Sequence, residues 1–181
     1  MNPLFARLRE RGWLIRESTP SKPLLPESVQ QRYPRLPPPV VQFLSGLEEC
    51  RNRTDDVWML TPVQYRITDD TGFRWNEYEL MALEEAADDA AESSAIRAFW
   101  DAHLPIMLAV HSDYDYVAVR VADPDFGSVV HGMAPDWDDP SFLAPSFEDF
   151  IAAFEREAAS PEPAYPYSIF LTEGAAADRS T

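Results

Sequence analysis

The stretch Leu104–Phe154, LPIMLAVHSDYDYVAVRVADPDFGSVVHGMAPDWDDPSFLAPSFEDFIAAF, passes through three hydrophobic periods in succession. Ile106–Val110 is a continuous apolar run, the pattern of a strand covered on both faces. After the turn-forming His111-Ser112-Asp113, the segment YDYVAVRV alternates. Tyr114, Tyr116, Ala118 and Arg120 fall on one side, and Asp115, Val117, Val119 and Val121 on the other. The turn-rich ADPDFG then predicts a hairpin to a third strand, SVVHGM. An acidic loop, APDWDDPS, leads through Leu143-Ala144-Pro145 to Ser146, where the period becomes helical. Ser146 is placed as an N-cap, and Phe147, Phe150, Ile151 and Phe154 fall at i, i+3, i+4 and i+7. Three strands followed by a helix with one aromatic stripe predict a compact sheet-and-helix unit.

Working back from this unit, NEYELMALEEAADDAAESSAIRAFWDAH is rich in Ala, Glu and Leu and predicts one long helix, or two broken at Ser93-Ser94. VWML and VQYRI read as strands, separated by Thr61-Pro62. PPPVVQFLSGL reads as a proline entry followed by a helix carrying Val40, Val41, Phe43, Leu44 and Leu47. A shorter helix is expected in PESVQQRY, ended by Tyr33-Pro34, and an amphipathic one in residues 3–12, closed by Gly12. The prolines of STPSKPLLP predict a linker between them. Downstream of the aromatic helix, YSIFL is expected either to add an edge strand or to pack loosely. The fold class that follows is α+β: a single domain with a mainly antiparallel sheet and helices packed on one face. Its predicted divisions are an N-terminal helix and linker at 1–23, the α+β domain at 24–159, and a tail at 160–181.

Composition narrows the function. At 45% hydrophobic residues the chain is built to fold around a core, not to stay disordered. No apolar run approaches the roughly 18 to 20 residues that span a bilayer, and MNPLFARLRERGW lacks the apolar core of a signal segment. A cytoplasmic protein with no membrane partner is expected. The 31 acidic residues against 15 basic give a net charge of −16, which disfavours nucleic acid because phosphate neutralisation by Lys and Arg supplies most non-specific affinity. From residue 101 onward 15 Asp and Glu face three Arg, a net of −12. The acidic surface therefore belongs to the last part of the chain, either as a solubility device or as a docking face for a basic partner.

Catalytic signals are weak. No HExxH, GxSxG, EF-hand or Gly-rich phosphate loop is present. His111, Asp113, Asp115 and His131 are the set from which a metal or acid–base site of a hydrolase would be assembled. Cys50, the only cysteine, reads as a structural thiol. The expectation is a protein that is not an enzyme and uses no cofactor and no metal. The aromatics among the acids, Tyr114, Tyr116, Trp137 and Phe142, are the mixture found where a surface recognises a protein. Trp137 is the one expected to be exposed. The candidate contact set is Asp113, Tyr114, Asp115, Asp136, Trp137, Asp138 and Asp139.

The order LPIMLAVHSDYDYVAV, turn, GSVVHGM, acidic loop, LAPSFEDFIAAF resembles the SUKH superfamily. LPPPVVQFLSG is similar to that family's early helix, and DVWMLTP to its first apolar strand; together these cover residues 24–155. This chain departs from the pattern at Ser45-Gly46-Leu47-Glu48 and at His111-Ser112-Asp113, where the family carries Gly-rich turns. The resemblance implies a single α+β domain. It also implies an immunity protein that binds and neutralises a cognate bacterial toxin domain, plausibly a nuclease with a basic surface. A regulatory or scaffolding interaction module without a toxin partner is the alternative.

Overall fold

Seven strands form one antiparallel sheet in chain order, each paired to the next. They are β1 (Leu14–Glu17), β2 (Leu47–Arg51), β3 (Val57–Met59), β4 (His103–Ala109), β5 (Asp115–Arg120), β6 (Val129–Met133) and β7 (Ser141–Ala144). The computed structural model describes residues 2–18, 25–69, 72–111 and 113–172. Most of the expected linker and the last residues of the chain lie outside them. β4 is buried along its whole length, as its continuous apolar run requires. Pro105 has no N–H for the ladder, and the β4–β5 register shifts between Pro105 and Met107. The Tyr65 hydroxyl donates to the Pro105 carbonyl at 2.5 Å.

Helices cover the sheet on both faces, not on one alone. On β5 the Tyr116 ring meets Tyr78, Phe99 and Trp100. These belong to α4 (Glu77–Glu85) and α5 (Ala90–Ala102). Val117 points the opposite way and pairs with His131, whose ring packs edge-on against Phe170 of α7 (Tyr167–Leu171). Alternate residues of one strand thus serve two cores, and Tyr116, Val117, Ala118 and Val119 are all buried.

The aromatic stripe forms as its spacing predicts. In α6 (Phe147–Ala159), Phe147, Phe150 and Phe154 are buried, and Phe150 and Phe154 stack at 5.7 Å. Phe147 meets Phe43 of α3 (Pro38–Ser45), which in turn meets Phe5 of α1 (Pro3–Glu10). Burying side chains of this size stabilises the fold by roughly 1.5–3 kcal/mol each. Ser146 caps α6 by accepting from the Asp149 amide at 3.1 Å. Ser146→Ala is expected to lower stability by about 1 kcal/mol in a urea titration, with Ser146→Asp close to wild type; equal loss in both variants would remove the cap from the account.

The helices α1 and α7 join the same unit instead of flanking it. α1 packs against α6, and Arg11 donates to the carbonyls of Ala158, Ser160 and Leu171. Its guanidinium thereby satisfies acceptors that the ends of α6 and α7 leave unpaired. YSIFL is α7, not an edge strand: its turn of helix sends Phe170 and Leu171 into the core. VQYRI is not a strand either. Gln64–Arg66 make a 3-10 turn in which Tyr65 is buried while Val63 stays 54% exposed. The helical pair breaks at residues 86–89, not at Ser93-Ser94. Asp89 accepts from the Ala91 and Glu92 amides to start α5, while Ser93 sits inside the helix with its hydroxyl on the Ala86 carbonyl. PESVQQRY gives α2 (Glu27–Arg32) as expected.

Candidate functional site

Antiparallel pairing decides which turns meet. Ala109 pairs with Asp115, Asp115 with Met133 and Val57 with Ala109. The turns 52–56 and 134–140, together with Val110, His111, Asp113 and Tyr114, therefore lie at one end of the sheet. Two main-chain bonds tie them together: Val110 N–H donates to the Asp56 carbonyl at 2.9 Å, and Ala134 N–H to the Tyr114 carbonyl at 3.3 Å.

Most of the predicted contact set is brought together here. Asp113, Asp136, Asp138 and Asp139 are exposed, and none of their carboxylates is hydrogen-bonded or ion-paired among the described residues. Tyr114 stands beside them, 38% exposed, with a left-handed backbone at φ +57°. That conformation is costly for a bulky residue. The Tyr114 ring packs edge-on against Tyr78 at 6.0 Å, so the left-handed turn holds it on the surface in a fixed orientation.

Asp115 is corrected: it is not a contact residue. Its side chain is on the inner face of β5, 1% exposed, and its Oδ1 lies 2.8 Å from Nε2 of the buried His131. Trp137 is corrected as well. Its indole turns inward, edge-on to Phe99 at 5.0 Å, and its carbonyl accepts from the Tyr116 hydroxyl. Of the four aromatics, Phe142 is the most exposed at 66%, ahead of Tyr114, while Tyr116 is core.

The hydrolase set does not converge. His131 and Asp115 form their buried pair on the inner face, while His111 lies 3.8 Å from Asp56 at the sheet end, too far for a hydrogen bond. Among the described residues no group of three or more His, Cys, Asp and Glu is placed to hold a metal ion. Cys50 is buried in β2 and burial pushes its thiol pKa far up, which leaves it protonated and unreactive.

Two groups of residues escaped the sequence reading. Asp55 and Asp56 reach the acidic end only because β2 and β3 form a hairpin. Their carboxylates are engaged within the turn, Asp55 by the Trp58 indole N–H at 2.8 Å and Asp56 by Thr54 at 2.9 Å. On the α4–α5 face the loop 134–140 folds back over the sheet and walls a cavity of about 500 Å³. His103, Arg120, Asp125 and Asp138 line it. His103 stacks on Phe99 at 4.1 Å, and its Nδ1–H donates to the Phe99 carbonyl at 2.8 Å, which leaves Nε2 as an acceptor. Burial, reinforced by the neighbouring Arg120, holds the His103 pKa below the ordinary histidine value, against the pull of the Phe99 carbonyl.

A comparison of this chain with protein-family models, curated proteins and solved structures finds no match. What the surface does must therefore be argued from its own chemistry.

The lowered His103 pKa has a sign that can be measured. The unfolded chain binds this proton more readily than the folded one, so stability is full above about pH 6.5 and is lost as pH falls toward the folded value. Unfolding free energies from urea titrations between pH 8 and pH 5 should fall less steeply for His103→Phe than for wild type, with a difference in slope of at most about 1.4 kcal/mol per pH unit. Identical slopes would contradict the assignment.

Proposed function

We propose that this chain is a stoichiometric binder of a basic protein, acting as a cytoplasmic immunity protein against a toxin domain such as a nuclease. One observation carries the reading: two adjoining turns present Asp113, Asp136, Asp138 and Asp139 unneutralised beside Tyr114. Exposed carboxylates without partners attract a cationic surface and raise its association rate, and a fixed aromatic among them supplies contact area. A nuclease holds phosphates on a basic surface, and an acidic protein of this shape can occupy it. The resemblance of residues 24–155 to the SUKH superfamily supports the same reading. Among the described residues, no helix is long and apolar enough to cross a membrane.

The test is co-expression with the toxin-like reading frame encoded beside this one. The expected result is restored growth and a one-to-one complex that survives gel filtration. A complex without rescue would assign the chain to the scaffolding alternative, and neither complex nor rescue would sink both.

A further inference from the structure

The cavity of about 500 Å³ on the α4–α5 face is lined by polar groups whose bonding is incomplete in both directions. His103 and Arg120 stand opposite one another across β4 and β5, a pairing that sets Cβ atoms about 5 Å apart, so both heads serve the same space. Arg120 Nη1 is engaged with Asp125 at 2.5 Å. Its Nε–H is buried and has no acceptor among the described residues. His103 gives its Nδ1 proton to the Phe99 carbonyl and lays its ring on Phe99, which leaves Nε2 as a neutral acceptor without a donor. The exposed carboxylate of Asp138 lines the same cavity and is neither hydrogen-bonded nor ion-paired among the described residues.

The cavity therefore offers one donor and two acceptors. A cation would use only the acceptors and would meet the Arg120 guanidinium, while an anion would use only the donor and would meet Asp125 and Asp138. A primary carboxamide matches all three groups, because its oxygen accepts and its NH₂ carries two protons. It also brings no charge to be desolvated. Phe142, 66% exposed, adds apolar area for whatever carries the carboxamide, and the volume falls within the roughly 300–1,000 Å³ of small-ligand cavities. We propose that this cavity is a binding site for a primary carboxamide, whose oxygen accepts from Arg120 Nε–H and whose two N–H groups donate to His103 Nε2 and Asp138. A small aromatic ligand and a glutamine or asparagine side chain share this chemistry. The site rests on the cavity alone and not on the docking reading above.

The experiment is a nuclear magnetic resonance titration of the full chain with benzamide and with two isosteres, benzoate, which only accepts, and benzamidinium, which only donates. N-acetyl-glutamine methylamide is titrated beside them. A carboxamide should shift the His103 and Phe142 ring signals saturably; tighter binding of benzamide assigns the site to a small aromatic ligand, and tighter binding of the glutamine probe to a side chain. Benzoate and benzamidinium should each bind at least about tenfold more weakly than the better carboxamide, since each leaves a polar group of the cavity unpaired. Arg120→Lys keeps the charge beside Asp125 and removes Nε–H, and Asp138→Ala alters an exposed side chain; each is expected to weaken the carboxamide about fivefold. Binding of benzoate or benzamidinium as tight as that of the better carboxamide, unchanged affinity in either variant, or no saturable shift at these two rings overturns the proposal.

Discussion

Asp115→Ala is expected to cost about 3 kcal/mol of unfolding free energy, whereas Asp113→Ala, two residues away, should stay within about 0.5 kcal/mol of wild type. The two residues share a type and a local sequence, yet their surroundings differ. Asp113 is in the open turn, while Asp115 is 1% exposed and 2.8 Å from the imidazole of His131, itself 2% exposed. Removing the carboxylate strands a polar ring between Tyr165 and Phe170, where no water reaches it. Asp115→Asn keeps the shape and one acceptor, so its loss should be smaller. Urea unfolding of the three variants decides the matter; an Asp115→Ala midpoint as mild as that of Asp113→Ala would return Asp115 to the surface.

Gly132→Ala should be nearly as damaging, at about 3 kcal/mol, for the opposite reason. Gly132 pairs with Tyr116 across β5 and β6, and the tyrosine ring lies over the glycine. A Cβ at Gly132 would come within 2.7 Å of Tyr116 Cε1 and closer still to Cζ and the hydroxyl. The ring cannot yield, because Tyr78, Phe99 and Trp100 surround it and its hydroxyl is bonded to the Trp137 carbonyl. Its burial, with Asp138 nearby, also raises the phenol pKa and keeps the hydroxyl a donor. Through that one bond, glycine in β6 fixes the acidic loop. Combining Gly132→Ala with Tyr116→Val should recover part of the loss, giving a coupling of about 1–3 kcal/mol. Strict additivity would show that the ring and the glycine are not the contact that matters.

These two sites show where the sequence could be read and where it could not. β4, β5, β6 and α6 were legible because each has one strong period and a clear punctuation: a continuous run, an alternation, a turn-rich hairpin, a capped aromatic stripe. β2 was not, since Leu47 and Cys50 are its buried residues and their spacing of three is no strand period. β7 was hidden because Pro140 and Pro145 flank it and its Phe142 points to solvent. VQYRI alternates like a strand, but its alternation serves a single inward ring, Tyr65. The site divides in the same way. The acids of 113 and 136–139 could be named from composition, but the inward turn of Asp115 and Trp137 depends on strand register and on Phe99 from α5. Asp55, Asp56, His103 and Arg120 come to these places only through the order of strands, which no local pattern records.

Whether the acidic turns are the proposed docking face is tested most directly by calorimetric titration against the proposed toxin partner. Wild type is compared with the variant Asp113→Asn/Asp136→Asn/Asp138→Asn/Asp139→Asn, at roughly 50 and 300 mM salt, on either side of a Debye length of about 10 Å. The expected result is an affinity weakened by roughly 100-fold in the variant, with most of the salt dependence gone. An undiminished affinity with unchanged salt dependence would place the interface elsewhere and contradict the account.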